Sequence, residues 1–386
     1  MKDIRKVFLL FALLLCVDSL FAVRNGADRI DRILPLLEGK RVGLIINHTS
    51  VVGPEHICLL DTLLHCGVDV VSVFAPEHGF RGDADAGESV ADGCDVKTGT
   101  PIISLYGSNK RPSESQLSNV DILLFDIQDV GARFYTYIST LYYAMQSCSQ
   151  FGIPMVVLDR PNPNDYVDGP IISEDLKSFV GALSIPILHG LTVAELALMI
   201  NGEGWSGANA VDLSVIPVEG WSHGEPYVLP IKPSPNLPNA QSVALYPSLC
   251  LFEATKISVG RGTYFPFQVL GFPDPKYGDF EFTPQPLEGF DKNPLQRGVK
   301  CYGEDLREVT PPEGFSLSLF IDFMNRSGEG VDIISSTQLF NMLSGDSSLK
   351  GMLASGMSEE QIKATWSEEL DEYRVMRERY LLYRDY

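Results

Sequence analysis

Short apolar runs, each followed directly by polar residues, recur through the first part of the chain. They are rich in Val, Ile and Leu and are bounded by Gly or Pro, a pattern that predicts strands buried on both faces of a parallel sheet. Stretches with helical apolar spacing separate them. The alternation predicts an α/β fold with a doubly wound parallel sheet. The predicted strands lie at residues 41–47, 70–75, 101–107, 121–129 and 154–163, and the predicted helices at 56–66, 134–150 and 192–200.

Polar side chains gather where the predicted strands end. In open α/β sheets, ligands bind in the crevice outside the carboxyl ends of the strands, so these side chains are candidates for a functional site. The densest cluster follows the strand at 70–75, for which the alternative is an ordinary solvated turn. The candidates are Glu77, His78, Arg81, Asp126, Gln128, Asp129, Arg133, Asp159, Arg160 and Asn162, together with Tyr135 and Tyr137 in the first turn of the helix that follows.

A second domain is predicted after Gly202, where the composition shifts to Gly, Pro and Trp. We place the domains at residues 23–204 and 205–386. The centre of the second domain is the segment LFEATKISVGRGTYFPF at residues 251–267. The segment contains Glu253, Arg261 and Thr263. Its Gly-Arg-Gly sequence predicts a tight loop that presents Arg261, and the alternative is a solvated hairpin.

Charge and the first residues limit the partners and the location. The net charge of −20 argues against nucleic acid as a partner, because phosphate binding needs a surplus of Lys and Arg. Lys2, Arg5 and Lys6 precede an apolar run, and Ala22 offers a small residue for cleavage, which is the layout of a signal peptide at residues 1–22. We therefore expect export to the periplasm or the cell exterior. Lipid anchoring is not expected, since Cys16 follows three leucines rather than a small residue.

The sequence lacks the motifs that are typical of several classes of enzyme. The first strand is followed by INHTSVVG, which is neither a phosphate loop nor a GxGxxG turn, so no nucleotide cofactor is expected. HExxH and C-x-x-C are absent from the sequence, and no metal site is expected. A Ser or Cys hydrolase is disfavoured because the sequence offers no plausible pair of Cys and His, and because its G-x-S-x-G match, GWSHG at residues 220–224, does not follow a predicted strand.

Five motifs together carry a resemblance to a known family. They are, in chain order, PEHGFRGDADAGE, SLYG, DIQDVGARFYTYISTL, DRPNP and LFEATKISVGRGTYFPF. This series resembles the NamZ-type exo-β-N-acetylmuramidases, which remove N-acetylmuramic acid from the non-reducing end of peptidoglycan fragments. The resemblance implies a Rossmann-like domain joined to a smaller C-terminal α+β domain, with the active site in the cleft between them. The implied partners are peptidoglycan-derived disaccharides or muropeptides.

The resemblance also assigns roles. It makes Glu77 the leading catalytic carboxylate, and glycoside cleavage needs a second group, for which Asp126, Asp129, Asp159 and Glu253 stay open. Arginines could pair the lactyl carboxylate of the substrate, whereas amide, imidazole and hydroxyl groups could hold its sugar. The arginines are Arg81, Arg133, Arg160 and Arg261, and the other groups are His78, Gln128, Asn162 and Thr263. The alternative is an exported sugar-binding protein without catalysis.

Overall fold

The computed structural model describes residues 23–77, 79–80, 92–288 and 290–385. The strands in this part of the chain are β1 (Arg41–Ile46), β2 (Val51–Val52), β3 (Ile57–Cys58), β4 (Asp69–Ala75), β5 (Gly93–Cys94), β6 (Pro101–Ser104), β7 (Ile122–Asp126), β8 (Met155–Leu158), β9 (Val167–Asp168), β10 (Leu188–His189), β11 (Leu213–Ile216), β12 (Val269–Phe272), β13 (Phe280–Phe282) and β14 (Cys301–Asp305).

The α-helices of the same residues are α1 (Ile30–Leu37), α2 (Leu59–His65), α3 (Glu114–Leu117), α4 (Tyr137–Phe151), α5 (Val193–Gly202), α6 (Ala240–Leu249), α7 (Ser318–Ser327), α8 (Thr337–Ser344), α9 (Leu349–Ala354), α10 (Glu359–Ala364) and α11 (Ser367–Glu378). Short 3-10 helices lie at Gly26–Asp28, Glu174–Leu176, Cys250–Ala254, Pro275–Tyr277 and Gly330–Ile333. None of the described helices combines the length and the apolar character that crossing a membrane requires.

A seven-stranded sheet in the order β11-β8-β7-β1-β4-β6-β5 forms the centre of the N-terminal domain. Its strands pair in parallel, except that β5 runs antiparallel to β6. Numbered along the chain, the six parallel strands lie in the order 3-2-1-4-5-6, the doubly wound arrangement of Rossmann-like folds. The predicted fold is therefore confirmed. The strand order reverses between β1 and β7, which places a crevice above their carboxyl ends.

Helices cover both faces of this sheet, which explains why its strands are apolar on both sides. Val42, Leu44 and Ile46 of β1 share a buried cluster with residues of α1 and α2. Ile45, which points to the opposite face, packs in the cluster that contains residues of α4 and α5. Strands enclosed in this way read as continuous apolar runs.

The C-terminal domain is a smaller α+β unit, as predicted. Its sheet is antiparallel, with the order β12-β14-β13, and α6 to α11 belong to the same part of the chain. The larger sheet, however, extends beyond the predicted boundary at residue 204, because β11 pairs in parallel with β8. The Gly- and Trp-rich residues after Gly202 form the connection that leads into this last strand of the sheet.

The end of the chain returns to the N-terminal domain. The hydroxyl of Tyr373 donates to the carbonyl of His189 at 2.8 Å, and Nε of Arg377 donates to the carbonyl of Gly190 at 2.6 Å. Farther along, the Leu382 amide donates to Oε1 of Glu195 at 2.8 Å. These buried and partly buried contacts fix the two domains against each other.

His223 contacts Glu195 at this junction, and we expect its titration to make the stability of the junction depend on pH. Its ring nitrogens lie 2.9 Å from carboxylate oxygens of Asp165 and Glu195. Burial alone would lower the pKa of His223, but the hydrogen bonds to these two carboxylates raise it to about 9. A folded-state pKa above the unfolded value means that the stabilisation is fully present below about pH 6.5 and is lost as the pH rises through about 9.

We therefore expect the free energy of unfolding to fall by about 2 kcal/mol between pH 6.5 and pH 9.5 through this group. Urea unfolding at several pH values measures the effect, and the His223→Gln variant is the control. The variant should be less stable at pH 6.5 and should lose less stability on going to pH 9.5. Parallel pH profiles of the two proteins would show that His223 does not set the dependence.

Candidate active site

A cavity of about 330 Å³ lies where the carboxyl ends of β4 and β6 meet the second domain. From the N-terminal domain it is lined by Glu77, Tyr106 and the residues that lead into α4. Glu253 and Arg261 line it from the C-terminal domain. Acidic, basic and aromatic groups from both domains therefore surround one space, the kind of concave site in which small ligands bind.

Glu77 occupies a tight turn directly after β4. The Gly79 amide donates to the carbonyl of Pro76 at 3.0 Å, and Gly79 has a φ of 73°, which favours glycine at this position. Oγ1 of Thr136 donates to Oε2 of Glu77 at 2.9 Å. The hydroxyl of Tyr106, which follows β6, lies near this carboxylate and is affected by its charge. The carboxylate thus accepts a hydrogen bond from the loop before α4 and has the hydroxyl group of Tyr106 nearby.

The hydroxyl of Tyr106 keeps its proton in this environment. Burial and the nearby charge of Glu77 both raise the pKa of Tyr106, so it can serve as a hydrogen-bond donor at neutral pH. Neither Tyr106 nor Thr136 was among the residues predicted to form the site. Their signals in the sequence are weak: Tyr106 belongs to the SLYG motif, and Thr136 stands between two predicted site tyrosines.

Tyr135 and Tyr137 line the same cavity and fix the loop above it. Their rings meet edge to face with 4.8 Å between centroids, and burial raises the pKa of both hydroxyls. Both hydroxyls donate to the carbonyl of Pro233, at 2.8 and 3.3 Å. The amide of Leu237 donates to the carbonyl of Ser234 at 3.1 Å, which closes a β-turn over the cavity. The tyrosines therefore shape one wall.

Glu253 and Arg261 form an ion pair on the opposite wall. Nε of Arg261 donates to Oε1 of Glu253 at 2.7 Å, and the guanidinium carbon lies 5.2 Å from the centroid of the Phe267 ring. Burial alone would lower the pKa of Arg261, but Glu253 raises it. The predicted tight loop is present: the Thr263 amide donates to the carbonyl of Gly260 at 3.1 Å.

Asp126 and Arg160 pair with each other inside the protein. Nε and Nη2 of Arg160 donate to the two carboxylate oxygens of Asp126 at 2.6 and 2.9 Å, and the side chains are 2% and 0% exposed. Burial alone would lower the pKa of Arg160, but the charge of Asp126 raises it. The structure does not bring this pair to the cavity wall. Its position favours a role in joining β7 to the loop after β8.

Arg133 is also completely buried, and its guanidinium binds backbone carbonyl groups. Its guanidinium donates four hydrogen bonds of 2.7–3.0 Å to carbonyl oxygens, and burial lowers its pKa to about 9. The acceptors are Pro170, Ile185, Leu343 and Ser344. Since two of them belong to the end of α8, Arg133 ties the domains together and is not placed to bind a substrate.

Asp159 holds the start of α5 rather than a ligand. Its carboxylate accepts hydrogen bonds from Oγ1 of Thr192 at 2.8 Å and from the Ala194 amide at 2.9 Å. Burial, together with the charge of Glu195, raises the pKa of Asp159 to about 7. These contacts are those of a helix N-terminus that binds an acidic side chain.

The other predicted residues that the structure describes hold loops at the edge of the site. The side-chain Nε2 of Gln128 donates to the carbonyls of Asp129 and Pro161. Oδ2 of Asp129 accepts a hydrogen bond from the backbone amide of Gly131 at 2.7 Å. Asn162 donates to the carbonyl of Leu191, and Thr263 to that of Gly260. His78 and Arg81 lie outside the described residues. The predicted residues that line the cavity are Glu77, Tyr135, Tyr137, Glu253 and Arg261.

Comparisons with known proteins identify the family of this chain. Residues 42–241 match the family described as "Exo-beta-N-acetylmuramidase NamZ, N-terminal", and residues 244–383 match its C-terminal counterpart. The peptidoglycan beta-N-acetylmuramidase NamZ of Bacillus subtilis (strain 168) is 38% identical over 394 residues, which cover 92% of this chain and 90% of the relative.

Two crystal structures of DUF1343 family proteins from Bacteroides fragilis NCTC 9343 share the fold. One has a TM-score of 0.86 at 42% identity and covers 95% of this chain and 100% of its own. The other has a TM-score of 0.81 at 27% identity and covers 94% of this chain and 100% of its own. With both parts of the family matched in order along one chain, the protein belongs to the NamZ family of exo-β-N-acetylmuramidases and is a glycosidase.

Proposed function

We propose that this protein releases N-acetylmuramic acid from the non-reducing end of peptidoglycan fragments, and that Glu77 is its general acid. The observation that carries the proposal is the position of Glu77, which is bonded by Thr136 and lies with Tyr106 in a cavity that the second domain completes. A relative at 38% identity bears the name peptidoglycan beta-N-acetylmuramidase, which supports the same substrate class for this chain.

Glycoside cleavage needs one carboxylic acid to protonate the departing oxygen and a second group on the other side of the bond. Of the four carboxylates considered for the second role, Glu253 is the one that lines the cavity with Glu77. The buried contacts of Asp126, Asp129 and Asp159 lie elsewhere. We assign to Glu253 the attack on the anomeric carbon or the activation of water, with Arg261 holding its carboxylate in place.

Arg261 also supplies the positive charge that a muramic acid needs. Its Nη groups make no hydrogen bond within the described part of the chain, whereas its Nε is bonded to Glu253. A guanidinium positioned in this way can bind the lactyl carboxylate of the substrate through two parallel hydrogen bonds. The cavity volume of about 330 Å³ is at the low end for small-molecule sites. This size suits one terminal sugar and supports exo action.

The location of the enzyme follows from its substrate. We propose that residues 1–22 direct the chain out of the cytoplasm, since peptidoglycan lies outside the cell membrane. The charge and apolar pattern of these residues supports the proposal. A protein tagged at its C-terminus should appear in the periplasm or the medium, and removal of residues 1–22 should retain it in the cytoplasm.

The test compares hydrolysis of the chromogenic β-glycosides of N-acetylmuramic acid and N-acetylglucosamine, which differ by the lactyl group. We expect the wild type to prefer the muramic acid glycoside by about 100-fold in kcat/KM, and Arg261→Ala to lose most of this preference, because one ionic hydrogen-bonded contact is removed. Arg374→Ala, at an exposed position, is the matched control.

Equal hydrolysis of the two glycosides by the wild type would contradict recognition of the lactyl group. A preference that survives in Arg261→Ala would remove Arg261 from that role. Tight binding of muramic acid without turnover would favour the alternative, a sugar-binding protein that shares the cleft.

A further inference from the structure

Tyr264 presents a large apolar ring to solvent close to the cavity. Its residue is 76% exposed, and the other exposed tyrosine among the described residues, Tyr166, is 43% exposed. The ring meets Phe290 edge to face, with 6.2 Å between centroids and an angle of 87°. We call Tyr264 and Phe290 the aromatic rim. Exposed apolar surface next to a binding cavity is typical of a surface that contacts a ligand.

The aromatic rim is connected directly to the cavity wall. Asn236, which lines the cavity, donates from Nδ2 to the carbonyl of Phe290 at 3.0 Å. The ammonium of Lys232 lies 5.6 Å from the centroid of the Phe290 ring. Tyr264 itself comes three positions after Arg261, which lines the cavity from the same loop. The rim therefore continues the wall of the cavity outward to the solvent.

The backbone that carries Tyr264 is held firmly. The Gln285 amide donates to the carbonyl of Gly262 at 2.8 Å. A Cβ added to Gly262 would lie 2.5 Å from Cγ of Pro294, and the φ of this glycine is 77°. A residue with a side chain would not fit there, so glycine allows the loop to pack closely on the segment that contains Phe290. The ring of Tyr264 is thus presented by a fixed loop.

We propose that the aromatic rim binds the sugar on the leaving side of the glycosidic bond, an N-acetylglucosamine in peptidoglycan. This inference rests on the proposed function, in which one muramic acid fills the cavity. The next sugar must then lie at the mouth, where the rim is. The face of a pyranose ring carries C–H groups that pack against an aromatic ring, while its hydroxyls stay in water, so an exposed tyrosine suits it.

The test uses two substrates that differ only in the leaving side. One is the β-1,4-linked disaccharide of N-acetylmuramic acid and N-acetylglucosamine, and the other is β-N-acetylmuramyl fluoride, which has no second sugar. For Tyr264→Ala we expect KM for the disaccharide to rise by about 10-fold, from the loss of one aromatic contact. For the fluoride we expect kcat/KM to stay within about twofold of the wild type. Tyr264→Trp should retain the wild-type KM, and Tyr166→Ala is the control.

An equal loss on both substrates, or no change on the disaccharide, would overturn the proposal. Folding of the variant is not at risk, since the ring is exposed. Hydrolysis of neither substrate by the wild type would instead contradict the proposed function, and with it the inference. Inhibition by free N-acetylglucosamine gives a second measurement: it should inhibit fluoride hydrolysis by the wild type and act several-fold more weakly on Tyr264→Ala.

Discussion

The Glu77→Gln variant is expected to hydrolyse an unactivated muramic acid disaccharide at least about 1,000-fold more slowly than the wild type. The amide has the size of the carboxyl group and can still accept a hydrogen bond from Thr136. It cannot give a proton to the departing sugar oxygen. The loss should therefore appear in kcat, while the urea midpoint stays close to that of the wild type.

The dependence on the leaving group separates an acid from other catalytic roles. A dinitrophenolate leaves without protonation, so Glu77→Gln should retain far more of its activity on the dinitrophenyl glycoside than on the disaccharide. Glu253→Gln, in contrast, should lose activity on both substrates, because attack on the anomeric carbon is needed in each case. Glu313→Gln, at an exposed position outside the cavity, is the control.

A loss of the same size on both glycosides would exclude Glu77 as the acid and would favour a role on the other side of the bond. If Glu77→Gln hydrolysed the disaccharide with a kcat within about tenfold of the wild-type value, Glu77 would have no role in the chemistry. Both outcomes would leave the family assignment intact, because that rests on the match along the whole chain.

The sequence was sufficient for the fold because strands enclosed on both faces leave long apolar runs. Its predicted strand at 121–129 contains β7, and that at 154–163 contains β8. The domain boundary was harder to predict. A change in composition marks a loop, and it cannot show whether the next short strand, here β11, pairs with the old sheet or begins a new one.

For the site, the rule that polar residues at strand ends form ligand sites selected Glu77, which lines the cavity, and also selected residues whose contacts lie elsewhere. Asp126 and Arg160 both follow apolar runs, yet they are 34 positions apart and become partners because β7 and β8 are neighbours. Contacts of this kind depend on strand order, which local patterns do not contain. Tyr106 and Thr136 were missed for the converse reason: single hydroxyl groups carry no pattern until the fold places them beside Glu77.

The buried pair of Asp126 and Arg160 predicts the largest effect on stability. Asp126→Asn leaves the Arg160 guanidinium charged and without its counter-ion at a site that is 2% exposed. Breaking such a pair from one side should lower the free energy of unfolding by about 3–5 kcal/mol. The measurement is urea unfolding followed by intrinsic fluorescence, with Asp121→Asn at the surface end of the same strand segment as the control.

The double variant Asp126→Leu/Arg160→Met tests the structural role of this pair even if the single variant fails to fold. Replacing both side chains removes the cost of burying two charged groups as well as the attraction between them. The double variant should therefore be more stable than Asp126→Asn. Its kcat should stay within about threefold of the wild type, since the pair does not line the cavity. If instead the double variant folds normally but loses turnover as completely as Glu77→Gln, Asp126 or Arg160 acts in catalysis, and the structural role assigned to the pair is wrong.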